Sequence, residues 1–190
     1  MSKKIYLMRH SIPEKIKIET SMIPLSDEGR ALAKSKKEVM KRVDHCFSSS
    51  YKRAIDTAKI ITDNVVVVSE LHERIIGEAF EDFWLKQYLD HDYRNPNGES
   101  LNDVKNRMKI AIDSILGKIQ DGESALIVSH ATAICSYLLN YCNVTVTNPS
   151  DKSRKITYKD ETVMDGIFAP TNYFEIDFIN DSIDSICFHS

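Results

Sequence analysis

The sequence lacks several features that would assign it at once to a class of protein. Its four cysteines form no C-x-x-C pair, so zinc-ribbon spacing is absent and we interpret them as reduced thiols. No apolar run is long enough to cross a bilayer. The apolar segment near the N-terminus is too short for a signal peptide. We therefore expect a cytoplasmic protein that does not act at a membrane.

An excess of charge of one sign is missing as well. The formal net charge is −3 over 190 residues, which gives no reason to expect a nucleic-acid partner. Any site for an anion must then be a local cluster of positive side chains. The chain also lacks a P-loop, a cluster of metal-binding aspartates and the C-x5-R signature of cysteine-dependent phosphatases.

What is present is a regular alternation of short strand-like runs with longer helical ones. The β-branched run VVVVS, residues 65–69, predicts a strand that is buried on both faces of a parallel sheet. Two alternating runs near the end, YFEIDFI and SIDSICF, predict an antiparallel hairpin. The order of elements predicts an α/β fold, a three-layer α/β/α sandwich around a mostly parallel central sheet.

No internal repeat, low-complexity tract or linker divides the chain, so we predict one domain over residues 1–190. Residues 71–100 are polar and aromatic, and they predict a cap or insert within that domain. We expect its tryptophan, Trp84, on the packed side of a cap helix, and we expect its carboxylates to disfavour polyanionic substrates if they overhang the site. The basic run DKSRK, residues 151–155, predicts an exposed loop, which could hold a second anionic group if it folds over the edge of the site.

Charged and nitrogen-bearing side chains follow successive predicted strands, at the points where the strands end. Arg9 and His10 follow the first strand, Arg53 comes soon after the second, Glu73 follows the third and His130 follows the fourth. Because ligands of open α/β sheets bind outside the carboxyl ends of the strands, we expect these five side chains to converge on one edge.

Phosphoryl transfer is the chemistry that suits this set of residues. Guanidinium groups bind a phosphate monoester bidentately. A neutral imidazole, His10, can attack phosphorus, and a second imidazole, His130, can donate to the oxygens as their charge redistributes. A carboxylic acid, Glu73, can protonate the leaving alkoxide.

Six segments, in order from residue 7 to about residue 138, match a known set of motifs. The segment LMRHS resembles R-H-G, SSSYKRAIDTA resembles S-S-x-x-x-R-A-x-x-T-A, and LIVSHATAI resembles V-S-H-G-G. The other matches are LSDEGRALA, LHERIIG and NGES. Together these segments resemble the histidine phosphatase superfamily, branch 1, whose fold is like that of phosphoglycerate mutase.

The resemblance implies a metal-independent phosphomonoesterase of the histidine acid phosphatase type. It implies that His10 becomes transiently phosphorylated and that Arg9, Arg53 and His130 form the phosphate pocket. It also implies that Glu73 acts first as the acid and then as the base that activates water. The expected partners are a small-molecule phosphate monoester and phosphate, with no metal and no organic cofactor.

Two positions of the expected phosphate site depart from the family pattern. Ser11 replaces the usual glycine after the catalytic histidine, and its hydroxyl could itself donate to the phosphate. Ala131 and Thr132 stand where the family commonly has two glycines. We include Ser11 and Ala131 among the expected phosphate-binding residues, and the departures leave the substrate open.

Three other functions compete with hydrolysis. A phosphoglycerate mutase would transfer the phosphoryl group between hydroxyls, but the segment ERIIG keeps only Arg74 of the basic residues common in E-R-H-Y-G. A non-catalytic phosphoester-binding module is motivated by the two departures. A metal hydrolase with His10, Glu73 and His130 as ligands is disfavoured because neighbouring arginines would repel the cation. The sequence also leaves open a homodimer formed through an edge strand.

Overall fold

The structure is a computed structural model that describes residues 2–190. These residues form nine strands: β1 (Ser2–Arg9), β2 (His45–Ser48), β3 (Val66–Val67), β4 (Ser124–Ser129), β5 (Asn143–Asn148), β6 (Ser153–Tyr158), β7 (Glu161–Gly166), β8 (Tyr173–Ile179) and β9 (Ser182–His189). They also form six α-helices: α1 (Asp27–Ser35), α2 (Lys37–Met40), α3 (Lys52–Ile61), α4 (Phe83–Leu89), α5 (Leu101–Leu116) and α6 (Ala131–Leu138). Two 3-10 turns span Thr20–Met22 and Ser69–Leu71.

The central sheet has six strands in the order β3-β2-β4-β1-β8-β9. Strands β3, β2, β4 and β1 run parallel, whereas β8 and β9 form an antiparallel hairpin whose first strand pairs with β1. The predicted α/β fold with a mostly parallel sheet and a terminal hairpin is therefore confirmed. Strand β1, which leads to His10, is paired along both of its edges.

Side chains of the central strands alternate between two hydrophobic clusters, because successive residues of a strand face opposite sides of the sheet. In β1, Ile5 and Leu7 pack in a cluster that contains α5 and α6, whereas Met8 packs in a second cluster with α2 and α3. Strand β4 divides its side chains in the same way. Both faces of the sheet are covered by helices, as the predicted sandwich requires.

Local sequence explains where two of the helices begin. The side chain of Ser26 accepts a hydrogen bond from the amide of Gly29 at the start of α1. At the start of α5, Ser100 and Asp103 form a capping box, in which each side chain bonds the other residue's backbone amide. Helix α5 then continues to Leu116.

Two local predictions were wrong. The run at residues 65–69 forms only the two-residue strand β3 at the edge of the sheet, and Val66 and Val67 are 54% and 49% exposed. Residues 151–155 are not wholly an exposed loop, because β6 begins at Ser153 and the side chain of Arg154 is buried. Strands β5, β6 and β7 form a separate antiparallel sheet that the sequence reasoning missed.

Candidate active site

The ends of three parallel strands bring the two predicted histidines together. The amide of His10 donates to the carbonyl of Ser129 at 2.9 Å, where β1 and β4 end side by side. The amide of Ser49 donates to the carbonyl of Val128 at 2.9 Å and joins β2 to the same edge. As a result, the imidazole centroids of His10 and His130 lie 5.0 Å apart.

The imidazole of His10 is buried and held in one orientation. Its Nδ1 lies 2.6 Å from the carbonyl oxygen of Ser11, which can only accept, so Nδ1 carries the proton and Nε2 a lone pair. The Nε–H group of Arg53 donates to that Nε2 at 3.1 Å. Burial and the positive charge of Arg53, with a smaller effect of Arg9, lower the pKa of His10 to about 3. The ring is therefore neutral near pH 7, as a nucleophile must be.

Arg53 reaches the site from the first turn of α3. Its Nη1 donates to the carbonyl of Thr20 at 2.6 Å, and its guanidinium lies 4.9 Å from the ring centroid of Tyr51. Burial lowers the pKa of Arg53 and of Arg9, and the carboxylate of Glu73 opposes that shift at both residues. Glu73 thus lies within electrostatic range of both guanidinium groups.

Ser11 does not present its hydroxyl to the phosphate site. The hydroxyl donates to the carbonyl of Gly29 at 2.7 Å, and the Ser11 amide donates to the hydroxyl of Thr57 at 2.9 Å. Gly29 is required there, because a Cβ atom at that position would lie 2.0 Å from the carbonyl oxygen of Ile12. The expectation that the Ser11 hydroxyl donates to phosphate is at odds with this arrangement, in which Ser11 joins the strand end to α1.

His130 is fully buried and directly precedes α6. Its Nε2 lies 2.8 Å from the hydroxyl oxygen of Ser49, and that oxygen accepts the amide of Tyr51 at 3.1 Å. The Ser49 hydroxyl can therefore donate to Nε2, which leaves the ring proton on Nδ1, an atom without a partner in residues 2–190. Burial and the neighbouring cationic and imidazole groups lower the pKa of His130 well below its usual value.

Glu73 lies against the start of α6. Its carboxylate accepts the amides of Thr132 at 3.3 Å, Ala133 at 3.0 Å and Arg74 at 2.8 Å. Ala131, the first residue of α6, lines the same cavity as Glu73. The structure thus places Ala131 beside the predicted acid, and it contributes no polar side-chain atom.

Arg107 of α5 holds the segment that carries Glu73. Its guanidinium donates to the carbonyls of Glu70 at 2.7 Å, His72 at 2.9 Å and Glu73 at 3.2 Å. It also forms a two-point ion pair with the carboxylate of Glu99, at 2.7 and 2.8 Å. Sequence reasoning missed Arg107, because nothing in the spacing of α5 indicates that this residue reaches another loop.

A cavity of about 400 Å³ adjoins these residues. Arg9, Glu73 and Ala131 line it together with the cationic side chains of Arg74, Lys152 and Arg154. Of the 71–100 segment, the cavity is lined by Glu73, Arg74, Ile76, Phe83, Trp84 and Gln87. The carboxylates of residues 78–92, which would disfavour polyanionic substrates if they overhung the site, are not among the residues that line the cavity. Trp84 both packs on the core and lines the cavity.

Five of the expected site residues thus come from four parts of the chain and meet at one edge of the sheet: Arg9, His10, Arg53, Glu73 and His130. Within residues 2–190 no three histidine, cysteine, aspartate or glutamate side chains are grouped closely enough to hold a metal ion. Over the same residues, no helix has both the length and the apolar character needed to cross a membrane.

Comparisons with known proteins identify relatives in sequence and in fold. A probable phosphoglycerate mutase GpmB from Serratia proteamaculans (strain 568) is 29% identical over 153 residues, which are 69% of this chain and 71% of the relative. A mycobacterial glucosyl-3-phosphoglycerate phosphatase has a similar fold, with a TM-score of 0.73 and 18% identity over 100% of this chain and 97% of the other.

A phosphoserine phosphatase mutant from Entamoeba histolytica, solved in complex with phosphoserine, has a TM-score of 0.67 and 20% identity. The match covers 97% of this chain and 96% of that protein. At such identities these two structures establish the fold alone. The model of the histidine phosphatase superfamily (branch 1) matches residues 5–155, most of the chain, and the chain therefore belongs to that superfamily.

Proposed function

We propose that the protein is a metal-independent phosphomonoester hydrolase that acts through a phosphohistidine intermediate on His10. The observation that carries the proposal is the pair of hydrogen bonds on His10. Nδ1 donates to a backbone carbonyl, so Nε2 keeps a lone pair at the strand end, beside Arg53. Membership of the superfamily supports the same chemistry.

In the first step, the Nε2 lone pair of His10 attacks phosphorus and the bond from phosphorus to the ester oxygen breaks. The Nε–H of Arg53, which bonds Nε2 in this structure, moves to a phosphate oxygen and frees the lone pair. Arg9 holds further phosphate oxygens, and the Nδ1–H of His130 donates as negative charge develops on them. Glu73 in its protonated form gives its proton to the leaving oxygen.

In the second step, water attacks the phosphohistidine. Glu73, now a carboxylate, takes a proton from that water, the bond from Nε2 to phosphorus breaks, and phosphate leaves. His10 recovers its lone pair and Glu73 its proton. We also propose that residues 71–100, which carry Glu73 and part of the cavity lining, form the cap of a single domain over residues 1–190.

A phosphoglycerate mutase remains the second candidate. It is favoured by the curated relative, which is described as a probable phosphoglycerate mutase, and by Arg74 directly after Glu73. A mutase would hold a second hydroxyl in place of the attacking water. Interconversion of 3-phosphoglycerate and 2-phosphoglycerate, measured beside hydrolysis, separates the two activities.

The test is hydrolysis of p-nitrophenyl phosphate in the presence of EDTA, with wild type and His10→Ala compared. We expect metal-independent release of phosphate, and we expect His10→Ala to lower kcat/KM by at least about 10³-fold because the nucleophile is lost. Phosphate bound to wild type after acid-free quenching should be acid-labile and stable to base. Hydrolysis that persists in His10→Ala, or that requires a metal, would overturn the proposal.

A further inference from the structure

Tyr51 lies among the residues of the site, and the proposed reaction gives it no role. It directly precedes α3, and its backbone carbonyl accepts the amides of Ala54 and Ile55 at the start of that helix. Residues at such positions are usually serine, threonine, aspartate or asparagine, whose side-chain oxygens bind the free amides of the first turn. The side chain of Tyr51 makes no such hydrogen bond. Capping of α3 therefore does not account for a tyrosine at this position.

Packing of the core does not account for Tyr51 either. Its side chain is partly exposed, and it belongs to neither of the two hydrophobic clusters that residues 2–190 form on the faces of the sheet. Tyr6 and Tyr141 are also partly exposed, and each packs against one of these clusters. The ring of Tyr51 instead contacts a guanidinium group and two imidazoles.

These three contacts belong to three separate segments of the site. The guanidinium of Arg53, in α3, lies 4.9 Å from the centroid of the Tyr51 ring. The ring of His130, at the start of α6, has its centroid 5.0 Å away in an edge-to-face arrangement, with an angle of 69° between the planes. The ring of His72 stacks on Tyr51, with 6.0 Å between centroids and an angle of 14°. Tyr51 thus connects Arg53 and His130 with the segment that carries Glu73.

The ring of Tyr51 restrains its neighbours without taking part in their hydrogen bonds. His130 bonds through Nε2 to the hydroxyl of Ser49 at 2.8 Å, and the edge-to-face contact adds a second restraint on the plane of the imidazole. The negative face of the ring attracts the guanidinium of Arg53, while the Nε–H of that residue donates to His10. Because the ring accepts none of these N–H groups, they can exchange their present partners for phosphate oxygens.

The stacked ring of His72 extends this restraint to the acid. Its Nδ1 lies 2.7 Å from the carbonyl oxygen of Glu73, which can only accept, so Nδ1 donates to the backbone of the acid itself. Arg107 donates to the carbonyl of His72 at 2.9 Å. The backbone of Glu73 is thereby held relative to the same aromatic ring that restrains Arg53.

We propose that Tyr51 is a positioning residue for phosphoryl transfer, and that it acts through its ring and not through its hydroxyl. The ring sets the orientation of Arg53 and His130 and the distance between them and Glu73. Tyr51 itself exchanges no proton and forms no bond to phosphorus. The inference rests on the proposed function and identifies the side chain that holds its parts together. A misplacement of reacting groups by about 1 Å can lower a rate by about 10²-fold, so the contribution of such a residue is measurable.

The test compares Tyr51→Phe, which keeps the ring, with Tyr51→Leu, which replaces it by an aliphatic side chain. With p-nitrophenyl phosphate, we expect Tyr51→Leu to lower kcat by about 10-fold and to raise the inhibition constant of inorganic phosphate about fivefold. Tyr51→Phe should stay within about twofold of wild type in both quantities, because the aromatic contacts persist. Equal losses in the two variants would overturn the role of the ring, and wild-type values in Tyr51→Leu would overturn the positioning role altogether.

Tyr158→Leu is the matched control. The ring of Tyr158 is also partly exposed and lies 4.9 Å from a cation, the Nζ of Lys159, but it is not among the residues that line the cavity beside Glu73. Its kcat and inhibition constant should equal those of wild type. Urea unfolding of both leucine variants measures what the loss of a tyrosine ring costs in stability. Should Tyr51→Leu fail to fold, Tyr51→Met, which fills more of the same space, takes its place.

Failure of the positioning role and failure of the proposed function give different results. Hydrolysis by wild type with unchanged kinetics in Tyr51→Leu would overturn the positioning role and leave the hydrolase. Absence of hydrolysis by wild type would overturn the hydrolase, and an NMR titration of the His130 ring with inorganic phosphate then tests the positioning role. Phosphate should bind more weakly to Tyr51→Leu than to wild type and Tyr51→Phe. Equal dissociation constants in the three proteins would refute the inference.

Discussion

Two walls of the site are built in different ways. The phosphate wall, defined by His10, Arg53 and His130, is a network in which imidazole and guanidinium groups bond to each other or to backbone and hydroxyl oxygens, and in which the Nδ1–H of His130 has no partner among residues 2–190. The cavity wall, defined by Arg74 and Arg154, leaves N–H groups without partners. The difference indicates that hydrogen bonds hold most of the phosphate wall in place before substrate binds, whereas the arginines of the cavity wall are held by fewer hydrogen bonds.

The largest effect should come from breaking the phosphate wall at Arg53. We expect Arg53→Met to lower kcat/KM by about 10²- to 10³-fold for every phosphomonoester, with or without a carboxylate, because the lost donor stabilises the reacting phosphoryl group itself. The matched control is Lys52→Met, which removes an exposed charge from the same turn of α3. A loss confined to some phosphomonoesters would contradict a role of Arg53 at the phosphoryl group that all of them share.

Arg53→Met should also change the titration of His10. The positive charge of Arg53 is the second cause, after burial, of the low pKa of His10, so its removal should raise that pKa from about 3 towards the usual value. An NMR titration of the His10 ring measures this directly. An unchanged pKa in the variant would mean that burial alone keeps the ring neutral.

A smaller effect on activity should follow from removing the hydrogen bonds by which Arg107 holds residues 70–73, the segment that carries Glu73. We expect Arg107→Met to lower kcat by about 10-fold on alkyl phosphates because Glu73 is less well placed, with KM nearly unchanged. Hydrolysis of p-nitrophenyl phosphate should fall less, since its leaving group needs little protonation. Lys109→Met, on an exposed part of α5, is the control. Equal losses on both substrates would contradict a positioning role.

The smallest expected effect concerns stability against acid. His10 and His130 have lowered pKa values in the folded protein, so below about pH 6.5 the unfolded chain binds more protons and folding stability falls as pH falls. From pH 7.5 to pH 5, His10 should contribute a loss of about 2 kcal/mol. The arginines of the cavity wall stay charged between pH 7.5 and pH 5, so they contribute nothing to this change in folding stability.

Urea unfolding at the two pH values measures this loss. A His10→Gln variant should lose about 2 kcal/mol less than wild type over the same interval, because it has one histidine fewer to protonate on unfolding. An identical pH dependence in the two proteins would mean that His10 is already charged in the folded state near pH 6.

The phosphate wall could be predicted from the sequence, and the cavity wall only in part: the sequence points to Arg74 and to the basic run at residues 151–155, but not to the burial of Arg154. Strand ends and motif spacing locate His10, Arg53 and His130, because parallel strands place their carboxyl ends at one edge whatever the details of packing. Arg154 lies on a strand whose burial depends on helix α4 and Cys135, which are distant in sequence. The residues of β6 around Arg154 alternate between polar and apolar, as in a strand, but the charges of residues 151–155 led us to predict a loop.

At two other places the structure differs from the sequence prediction, and in both the cause is again a contact, or the lack of one, between segments that are distant in sequence. The run at residues 65–69 has the composition of a central strand, but only Phe47 and Ser48 of β2 pair with it, and its outer edge has no neighbour in residues 2–190. The hydroxyl of Ser11 donates a hydrogen bond to the carbonyl of Gly29, and this contact forms only because α1 lies close to the end of β1. Composition predicts which element forms, whereas contacts between distant segments decide what each side chain faces.

The double pairing of β1 has a consequence for how the protein is made. Strand β1 leaves the ribosome before both of its neighbours, because β4 and β8 begin at Ser124 and Tyr173. At about 5 to 20 residues per second, roughly 10 to 30 seconds of synthesis separate β1 from β8. Throughout that time one edge of the strand that leads to His10 has no partner. We therefore expect catalytic competence to appear late in translation, in one step, when β8 docks.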